Sequence, residues 1–413
     1  MVYLFNSDVT LKATPQLDAF GRLRVSQPVT LFDSQQRFNP DPAFESNLVT
    51  SGAITYVPTQ SSVNLSVVNT TGSFAARESS YVFKYQPGKS LLSSMSMTMA
   101  PASNGNLRQR VGYFGKENGF YVELSDALYM VQRSNSSGTI TNTPVANTAW
   151  NGDKLNGTGP SGITLDMTKS QIFFTDVEWL GVGDVRCGFI LEGKYVIAHT
   201  FRHANISVGA YMTTACLPLR YEIESLGTGG PAVSNLTQIC STVISEGGYN
   251  QSYQLFSNLA SFSGTVGAAT WVPVMSMQLA PGRLDAIAAA RQVDIMITST
   301  GDLVQWGLWA NVSAANLTGE SFSNANSLSS VQIDKSATAF NPSTCYQIAS
   351  GIASAALGGQ GGLASQLELQ GYLTQIGRVS FTQTSEILTL ALFANATQGT
   401  VTAECLLSWA ELL

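Results

Sequence analysis

The residues best suited to chemistry are two carboxylates, Asp176 and Glu178, which stand two positions apart in an alternating run. On a strand this spacing puts both side chains on one face, with Cα atoms ~6.5 Å apart. Glycosidases use two carboxyl groups at about such a distance, one as acid and one as base or nucleophile. The competing interpretation is the solvent-facing half of an amphipathic strand, and we favour it. We keep Asp176, Glu178 and the aromatic Trp150 as candidate glycan contacts, and assign no catalytic residue. Trp150 could stack on a sugar, although most tryptophans in a β-rich protein are core residues.

The other candidates for chemistry are few. The two histidines, His199 and His203, fall at the end of a predicted strand, where extended backbone would separate them by roughly 13 Å. No glutamate lies between them, so we expect a packed or hydrogen-bonded pair and no metal site. The five cysteines include no C-x-x-C pair, and the glycine-rich segment 156–162 has no lysine after it for a phosphate. The sequence predicts no cofactor, no metal and no enzymatic activity.

Charged side chains are scarce in this chain. They make up 12% of its 413 residues, against roughly 25% in an ordinary soluble domain. The net charge of −6 arises within residues 225–413, which carry four basic and ten acidic side chains. Neither half has a basic stripe for nucleic acid, and no run of about 18 apolar residues could cross a membrane. With so little charge to keep copies apart, we expect much of the surface to be hidden in an assembly.

The first fifty residues show neither helical nor strand periodicity. Apolar side chains are scattered there among glycine and prolines, which is typical of an extended arm that lays single side chains onto another surface. Arg22 and Arg24 flank Leu23 and would face the same side of an extended segment, suited to carboxylates on a neighbour. We predict Phe20, Arg22, Leu23 and Arg24 as an assembly anchor. Met1–Thr10 does not have the pattern of a secretory signal.

Beyond the arm, short alternating runs separated by Gly, Asn, Ser and Pro predict β-sandwiches. The clearest stretch, 171–201, predicts a three-stranded antiparallel meander. We expect an all-β protein with two β-sandwich, jelly-roll-like domains preceded by the extended N-terminal arm. The expected divisions are residues 1–50 for the arm, 51–226 for the first sandwich, 227–235 for a Gly/Pro linker and 236–413 for the second sandwich.

Three local patterns refine this outline. The Met-rich segment 95–101 is echoed at 275–281, and both copies read as strands that end at a proline turn. Residues 401–409 alternate in polarity and predict a paired closing strand. Residues 284–291 could form a short helix. The echo raises the question of a duplication, but seven residues are too few to establish one.

The meander resembles the concanavalin-like jelly roll shared by lectins and some glucanases. The glucanases of that fold carry three acids in the pattern Glu-x-Asp-x-x-Glu on one strand. Here the matching stretch is Asp176-Val177-Glu178-Trp179-Leu180-Gly181, so the final acid is replaced by glycine. The resemblance therefore implies the fold and argues against glycosidase activity.

Several segments resemble virion structural proteins of tailed bacteriophages. They are Asp18–Ser26 followed by Thr30–Ser34, Trp150–Asp153, Gly159–Asp166, Trp179–Gly183 and Ile244–Tyr249. The resemblance covers most of residues 18–250 and implies a particle component. We expect a symmetric homo-oligomer, such as a trimer, that decorates or attaches to the capsid and is assembled in the host cytoplasm. The alternative is a carbohydrate-binding adhesin of the tail or baseplate.

The expected partners follow from that assignment. They are other copies of the chain, other virion proteins and, for the adhesin, a host surface glycan; nucleic acid and membrane are not expected. Because low charge marks surface that can be buried, we predict that residues 236–413 form the larger contacts between subunits.

Overall fold

The computed structural model describes residues 27–104, 106–228, 230–248, 253–267, 269–299, 303–355, 365–369, 374–379, 381–394 and 399–412. The first half of the chain forms these strands: β1 Val29–Gln35, β2 Phe44–Val49, β3 Ala53–Val57, β4 Ser62–Val68, β5 Phe74–Ser79, β6 Ser90–Thr98, β7 Leu107–Phe114, β8 Gly119–Leu124, β9 Leu128–Ser134, β10 Thr141–Ala146, β11 Gln171–Val177, β12 Val185–Leu191, β13 Lys194–Phe201, β14 Leu219–Ser225 and β15 Val233–Glu246.

The second half forms these: β16 Gln254–Thr265, β17 Val272–Leu279, β18 Ile287–Ile297, β19 Leu303–Val312, β20 Leu317–Thr318, β21 Ser323–Asn324, β22 Val331–Asp334, β23 Ala339–Phe340, β24 Tyr346–Ser354, β25 Ser365–Glu368, β26 Arg378–Val379, β27 Thr384–Ser385, β28 Ile387–Phe393 and β29 Thr400–Leu412. The described helices are short 3-10 turns at Pro58–Gln60, Ala102–Asn104, Asn147–Ala149 and Ala314–Asn316. None of the described helices is long and apolar enough to span a membrane. The all-β fold class is confirmed.

Two antiparallel sheets make the first sandwich. One has the order β13-β12-β11-β6-β15-β4-β3, with β1 also paired to β15, and the other has the order β10-β9-β8-β7-β14-β5-β2. Strand alternation sends Leu65, Met97, Phe173 and Tyr221 into one shared core, where each is almost completely buried. The predicted meander is confirmed as β11, β12 and β13, with a bulge after Cys187.

The second sandwich has sheets of the order β16-β29-β18-β25 and β21-β22-β17-β28-β19-β24. Its core is separate from the first and is built around the buried Trp306 and Trp409. The Met-rich segments are confirmed as strands: β6 is an inner strand of the first sandwich and β17 of the second. The closing strand is confirmed as β29, which pairs with both β16 and β18.

Three expectations about boundaries and local structure are wrong. Residues 29–49 belong to the first sandwich and not to an arm, because β1 pairs with β15 and β2 with β5. Residues 233–246 are strand β15 in the middle of the first sheet, so the linker is shorter than 227–235 and the second sandwich begins after residue 246. Residues 287–291 open strand β18 and do not form a helix, because they pair with the closing strand β29 and turn alternate side chains, Ala288 and Ala290, into the second core.

A buried arginine explains why residues 29–49 join the sandwich. The guanidinium of Arg77, 2% exposed, donates to the side chains of Gln238 (2.7 Å) and Gln36 (3.3 Å) and to the carbonyl of Asp41 (2.9 Å). Burial lowers the pKa of Arg77 to about 10. These acceptors come from β15 and from the connection between β1 and β2, so the arginine holds three distant segments together.

The placement of β15 in the first core gives a stability prediction. Leu236→Ala removes a side chain that is 0% exposed in that core and should lower the free energy of unfolding by ~2–5 kcal/mol. Leu226→Ala, ten residues earlier and 44% exposed, should change it by less than about 0.5 kcal/mol. Denaturant titration of both variants measures the difference, and equal losses would contradict the placement.

Candidate functional site

Asp176 and Glu178 do lie on one side of the sheet, but they are joined by an arginine. Arg186 stands opposite Asp176 in the register of β11 and β12 and forms an ion pair with it, while Glu178 Oε1 is 3.9 Å from Arg186 Nη2. The Glu178 side chain is 59% exposed and that of Asp176 only 11%. The solvent-facing interpretation therefore describes Glu178 and is wrong for Asp176. With Arg186 between the carboxylates, the pair is a cross-strand ion pair rather than an open acid and base.

Trp150 has no free face for a sugar. It is 3% exposed in the first core, and its indole N–H donates to the carbonyl of Val145 at 3.0 Å. Its expected role as a glycan contact is therefore wrong, because the ring packs under the sheet and leaves no surface for stacking. The predicted anchor residues Phe20, Arg22, Leu23 and Arg24 lie outside the described residues.

Each histidine is packed separately. His199 Nδ1 accepts the backbone N–H of Asn151 (3.3 Å), and its ring meets Phe201 edge-on. His203 stacks on Tyr211 with centroids 3.5 Å apart, and its ring nitrogens bond the carbonyl of Gly183 (2.8 Å) and the side chain of Gln132 (3.0 Å). Burial lowers the pKa of both rings. Within the described residues no group of three or more His, Cys, Asp or Glu side chains is arranged to hold a metal ion.

Asp153 organises the glycine-rich loop. Its two carboxylate oxygens accept the backbone N–H groups of Leu155 (2.9 Å) and Ser161 (2.6 Å). Burial acts to raise the pKa of Asp153, but these hydrogen bonds outweigh it and lower the pKa. A Cβ at Gly159 would lie 1.9 Å from Asp153 Oδ1, so the turn requires glycine there. The motif is a structural loop, closed by its own aspartate.

Sequence inspection missed the largest polar feature, a ladder of alternating charges across the outer face of the second sheet of the first sandwich. Arg110 lies between Glu123 (2.7 Å) and Glu222 (2.6 Å), and Arg220 lies between Glu222 (2.6 Å) and Glu78 (3.0 Å). These five residues are the ion ladder. They come from β8, β7, β14 and β5, and their side chains are 2–15% exposed. The two arginines hold the pKa of Glu222 at about 2 against the opposing effect of its burial.

The second sandwich covers one end of the ion ladder. The backbone N–H of Arg378 donates to the carbonyl of Ser80 (2.9 Å), and its guanidinium lies 3.5 Å from Glu78. The Phe381 ring stacks against the guanidinium of Arg220, with 4.8 Å between the guanidinium carbon and the ring centroid. The segment that carries β26 and β27 therefore docks one sandwich on the other.

Two carboxyl groups meet at this junction. Glu45 stands opposite Glu78 in the register of β2 and β5, and it shares a side-chain hydrogen bond with Glu386 of the second sandwich. Burial, followed by repulsion from Glu386 and Glu78, raises the pKa of Glu45 to about 9. Burial also raises the pKa of Glu386 to about 7. Arg378 acts to lower the pKa of Glu45, and a backbone hydrogen bond from Gly377 acts to lower that of Glu386, but burial outweighs both.

Two clefts run beside the junction. One of about 400 Å³ is lined by Lys84, Tyr85, Pro87, Trp179, Thr213, Thr214, Ala215, Cys216, Asp285, Ala286, Ile287 and Leu412. The other, of about 240 Å³, is lined by Gly115, Lys116, Glu117, Asn118, Thr213, Thr214, Cys216, Leu217, Gly282, Leu284, Asp285, Arg378 and Gln383. They share Thr213, Thr214, Cys216 and Asp285 and so form one continuous junction groove.

No protein-family model matches the chain, and no curated protein matches its sequence. Similar solved structures include a glycosyl hydrolase family 16 protein from Mycobacterium smegmatis, at 9% identity and a TM-score of 0.35, over 52% of this chain and 100% of that one. The CBM2 module of the evolved Dit of Lactobacillus casei BL23 phage J-1 is similar at 7% identity and a TM-score of 0.35, over 55% and 100%. The carbohydrate recognition domain of Emp47p is similar at 6% and 0.31, over 49% and 89%. Likeness at this level carries no argument about activity.

The ion ladder predicts an unequal effect of two substitutions on one strand. Glu222→Gln leaves Arg110 and Arg220 buried without their shared carboxylate and should cost ~3–5 kcal/mol of unfolding free energy. Glu224→Gln, in an ion pair with Arg108 whose side chains are 25% and 31% exposed, should cost at most about 1 kcal/mol. Chemical denaturation compares them, and a small loss in both would show that the ladder does not stabilise the sandwich.

The carboxyl pair predicts how stability depends on pH. Because the folded pKa values of Glu45 and Glu386 lie above the ordinary 4.5, the folded chain holds protons that the unfolded chain releases. Their stabilisation is therefore complete below pH 4.5 and is lost as the pH rises through about 7 and about 9. Glu386→Gln removes one ionisation but keeps an acceptor for Glu45, so the fall in Tm on the alkaline side should be smaller.

Glu192→Gln, in the exposed turn between β12 and β13, is the matched control and should leave the pH profile unchanged. Melting curves recorded across this range test the assignment. A Glu386→Gln profile as steep as that of the unmodified chain would rule out the pair as the source of the pH dependence.

Proposed function

We propose that this chain is a structural component of a tailed-phage virion that assembles as a homo-oligomer through its second sandwich and is anchored by its N-terminal arm. The observation that carries the proposal is the edge strand β16. Its twelve residues, Gln254–Thr265, pair with β29 along their whole length, and no other described strand pairs with them. The outer edge of β16 therefore offers a row of backbone groups that a second chain could pair with.

The edge strand β16 has few of the features that normally prevent such pairing. It contains no charged residue and no proline, and it is about twice the length of a typical strand. Leu255 and Leu259 are 67% and 52% exposed on its outer face. Among the described residues, Lys335 partly blocks this edge, since its Nζ donates to the carbonyl of Leu259 at 2.5 Å. A partner strand would either displace Lys335 from the Leu259 carbonyl or pair with the residues of β16 before and after Leu259.

Three edges of the first sandwich are protected in the usual ways. Pro144 lies in edge strand β10, Lys194 begins edge strand β13, and edge strand β3 has only five residues. Proline, charge and shortness each discourage pairing between chains. The contrast supports the second sandwich as the one that makes the larger subunit contacts.

The second sandwich has a further uncharged edge in β24, where Tyr346 and Ile352 are about half exposed. Strand β24 packs against β18 and β25 of the facing sheet, whereas β16 packs against β17. The two edges therefore lie at different ends of the sandwich. Pairing of β16 in one copy with β24 in the next would be head-to-tail, which generates a ring such as a trimer when the rotation closes.

The adhesin alternative requires a sugar site other than the expected one. Asp176 is tied to Arg186, and Trp150 is buried, so neither offers a surface to a glycan. Decoration of or attachment to the capsid remains the proposed position of the protein in the particle, with other virion proteins as partners.

Charge placed on the β16 edge tests the assembly. The double variant Leu255→Lys, Leu259→Lys should weaken self-association at least ~10-fold, about 1.4 kcal/mol, because lysines on an edge strand would have to lose water to pair with the apolar β24 edge of the next copy. Leu303→Lys, 58% exposed on β19, is the control, since β19 is paired on both sides. Sedimentation equilibrium gives the dissociation constants, and an unmodified chain that stays monomeric would contradict the proposal.

Removal of residues 1–26 tests the anchor. We expect the shortened chain to fold and self-associate but not to enter particles, because its proposed contacts through Phe20, Arg22, Leu23 and Arg24 are gone. Arg22→Ala, Arg24→Ala in the full chain should reproduce part of the loss. Incorporation measured in purified particles decides this, and normal incorporation of the shortened chain would disprove the anchor.

A further inference from the structure

The junction groove described above joins two chemically different surfaces. Its larger arm is mostly apolar, with Trp179 and Tyr85 on one wall and Ile287 and Leu412 on the opposite one. Its smaller arm is mostly polar, with Lys116, Glu117 and Asn118 facing the second sandwich. Together the arms fall in the range of ~300–1,000 Å³ typical of small-molecule sites. The groove thus offers apolar contact at one end and hydrogen bonds at the other.

The aromatic wall is held rigidly. Tyr85 and Trp179 meet edge to face, with centroids 6.0 Å apart and planes at 90°. The hydroxyl of Tyr85 accepts the backbone N–H of Leu180 at 3.3 Å, which ties the ring to the turn after β11. Tyr85 is buried and Trp179 is only partly buried, so Trp179 is the ring with surface to offer a ligand.

The centre of the groove carries polar groups that a ligand can reach. Asp285 is exposed, and no described residue donates a hydrogen bond to its carboxylate. Thr213, also exposed, stands in both arms, and its hydroxyl accepts from Asn118 Nδ2 at 2.7 Å. Asn118 in turn accepts the backbone N–H groups of Asn135 and Thr213, so this polar cluster is oriented before any ligand arrives.

The charges along the groove nearly cancel. Lys84, Lys116 and Arg378 are matched against Glu117 and Asp285. Such a balance favours a neutral ligand over a phosphate or another strong anion, which would need an excess of positive charge. A peptide strand is also disfavoured, because the first-sandwich lining comes from the connections after β5, β7, β11 and β13 rather than from a free strand edge.

We propose that the junction groove binds a neutral oligosaccharide, with a pyranose ring stacked on Trp179 and hydroxyl groups bonded to Asp285 and Thr213. A sugar ring presents an apolar C–H face and a rim of donors and acceptors, which matches the two arms. A carboxylate accepts two hydroxyl groups at once, and a threonine hydroxyl both donates and accepts. The site is independent of pairing at β16, and it gives the adhesin alternative a location different from Asp176, Glu178 and Trp150.

Titration of the full chain with cellohexaose, maltohexaose and chitohexaose by calorimetry and saturation-transfer NMR tests the site. At least one should bind. Asp285→Asn, at an exposed position that tolerates the change, should weaken that binding at least ~10-fold. Trp179→Ala should abolish it. Tyr195→Ala, at an exposed aromatic on β13 that lines neither cleft, is the matched control and should bind as the unmodified chain does.

Melting curves of each variant separate loss of the site from loss of the fold. The proposal is overturned if none of the three sugars binds at millimolar concentration, or if Asp285→Asn binds as tightly as the unmodified chain. It is also overturned if an uncharged hexapeptide displaces the bound sugar, since the groove would then be a peptide site. None of these results alters the test of assembly at β16.

Discussion

The ion ladder is the interaction on which the relation of the two sandwiches depends. Glu222 bonds both Arg110 and Arg220, and Glu78 receives an arginine from each sandwich. Charges this deeply buried are tolerated only when each is paired, so the strands that carry them are fixed in register. The segment around β26 and β27 covers one end of the face that they form, where Arg378 supplies a further partner for Glu78. The junction groove exists because that segment docks where it does.

The distribution of charge explains much of the remaining architecture. The first sandwich uses its balanced charges in cross-strand pairs and at sheet edges. The second sandwich has few charges to use, and two of its edge strands, β16 and β24, contain none. Within one chain, then, the same shortage of charge that leaves the described residues of the second sandwich with few ion pairs also leaves its backbone edges available. The proposed assembly therefore depends on the low charge of the second sandwich, because uncharged edge strands are free to pair with another chain.

Much of the fold could be predicted from the sequence, because strand periodicity is a local signal. The alternation of Val185, Cys187 and Phe189 predicts a strand whatever its partner is. The boundaries could not be predicted, since β15 is separated from its partner β1 by some 200 residues and follows a glycine-rich segment that looks like a linker. The long-range hydrogen bonds of Arg77 have no local signature. For Trp150 the β-rich composition favours a core position over a glycan contact, and the core position is the one observed.

The sequence contains a signal from which part of the ion ladder could have been predicted. Arg108 and Arg110 stand two residues apart on one strand, and Arg220, Glu222 and Glu224 alternate with Tyr221 and Ile223 on another. Opposite charges in two such strands suggest neighbours. The cover over Glu78 and Arg220, however, comes from the second sandwich, which periodicity does not reveal. The same holds for Glu45 and Glu386, which are 341 positions apart and meet only through the docking of the two sandwiches.

Amide hydrogen exchange across a range of protein concentrations tests the central claim, assembly at the β16 edge, most directly. As concentration rises and copies associate, the amides of β16 should become more protected, because backbone groups at a free edge acquire partners. Amides of β10, whose edge carries Pro144, should exchange at the same rate throughout. Protection of β16 that does not change while the chain self-associates would place the contact elsewhere and contradict the account.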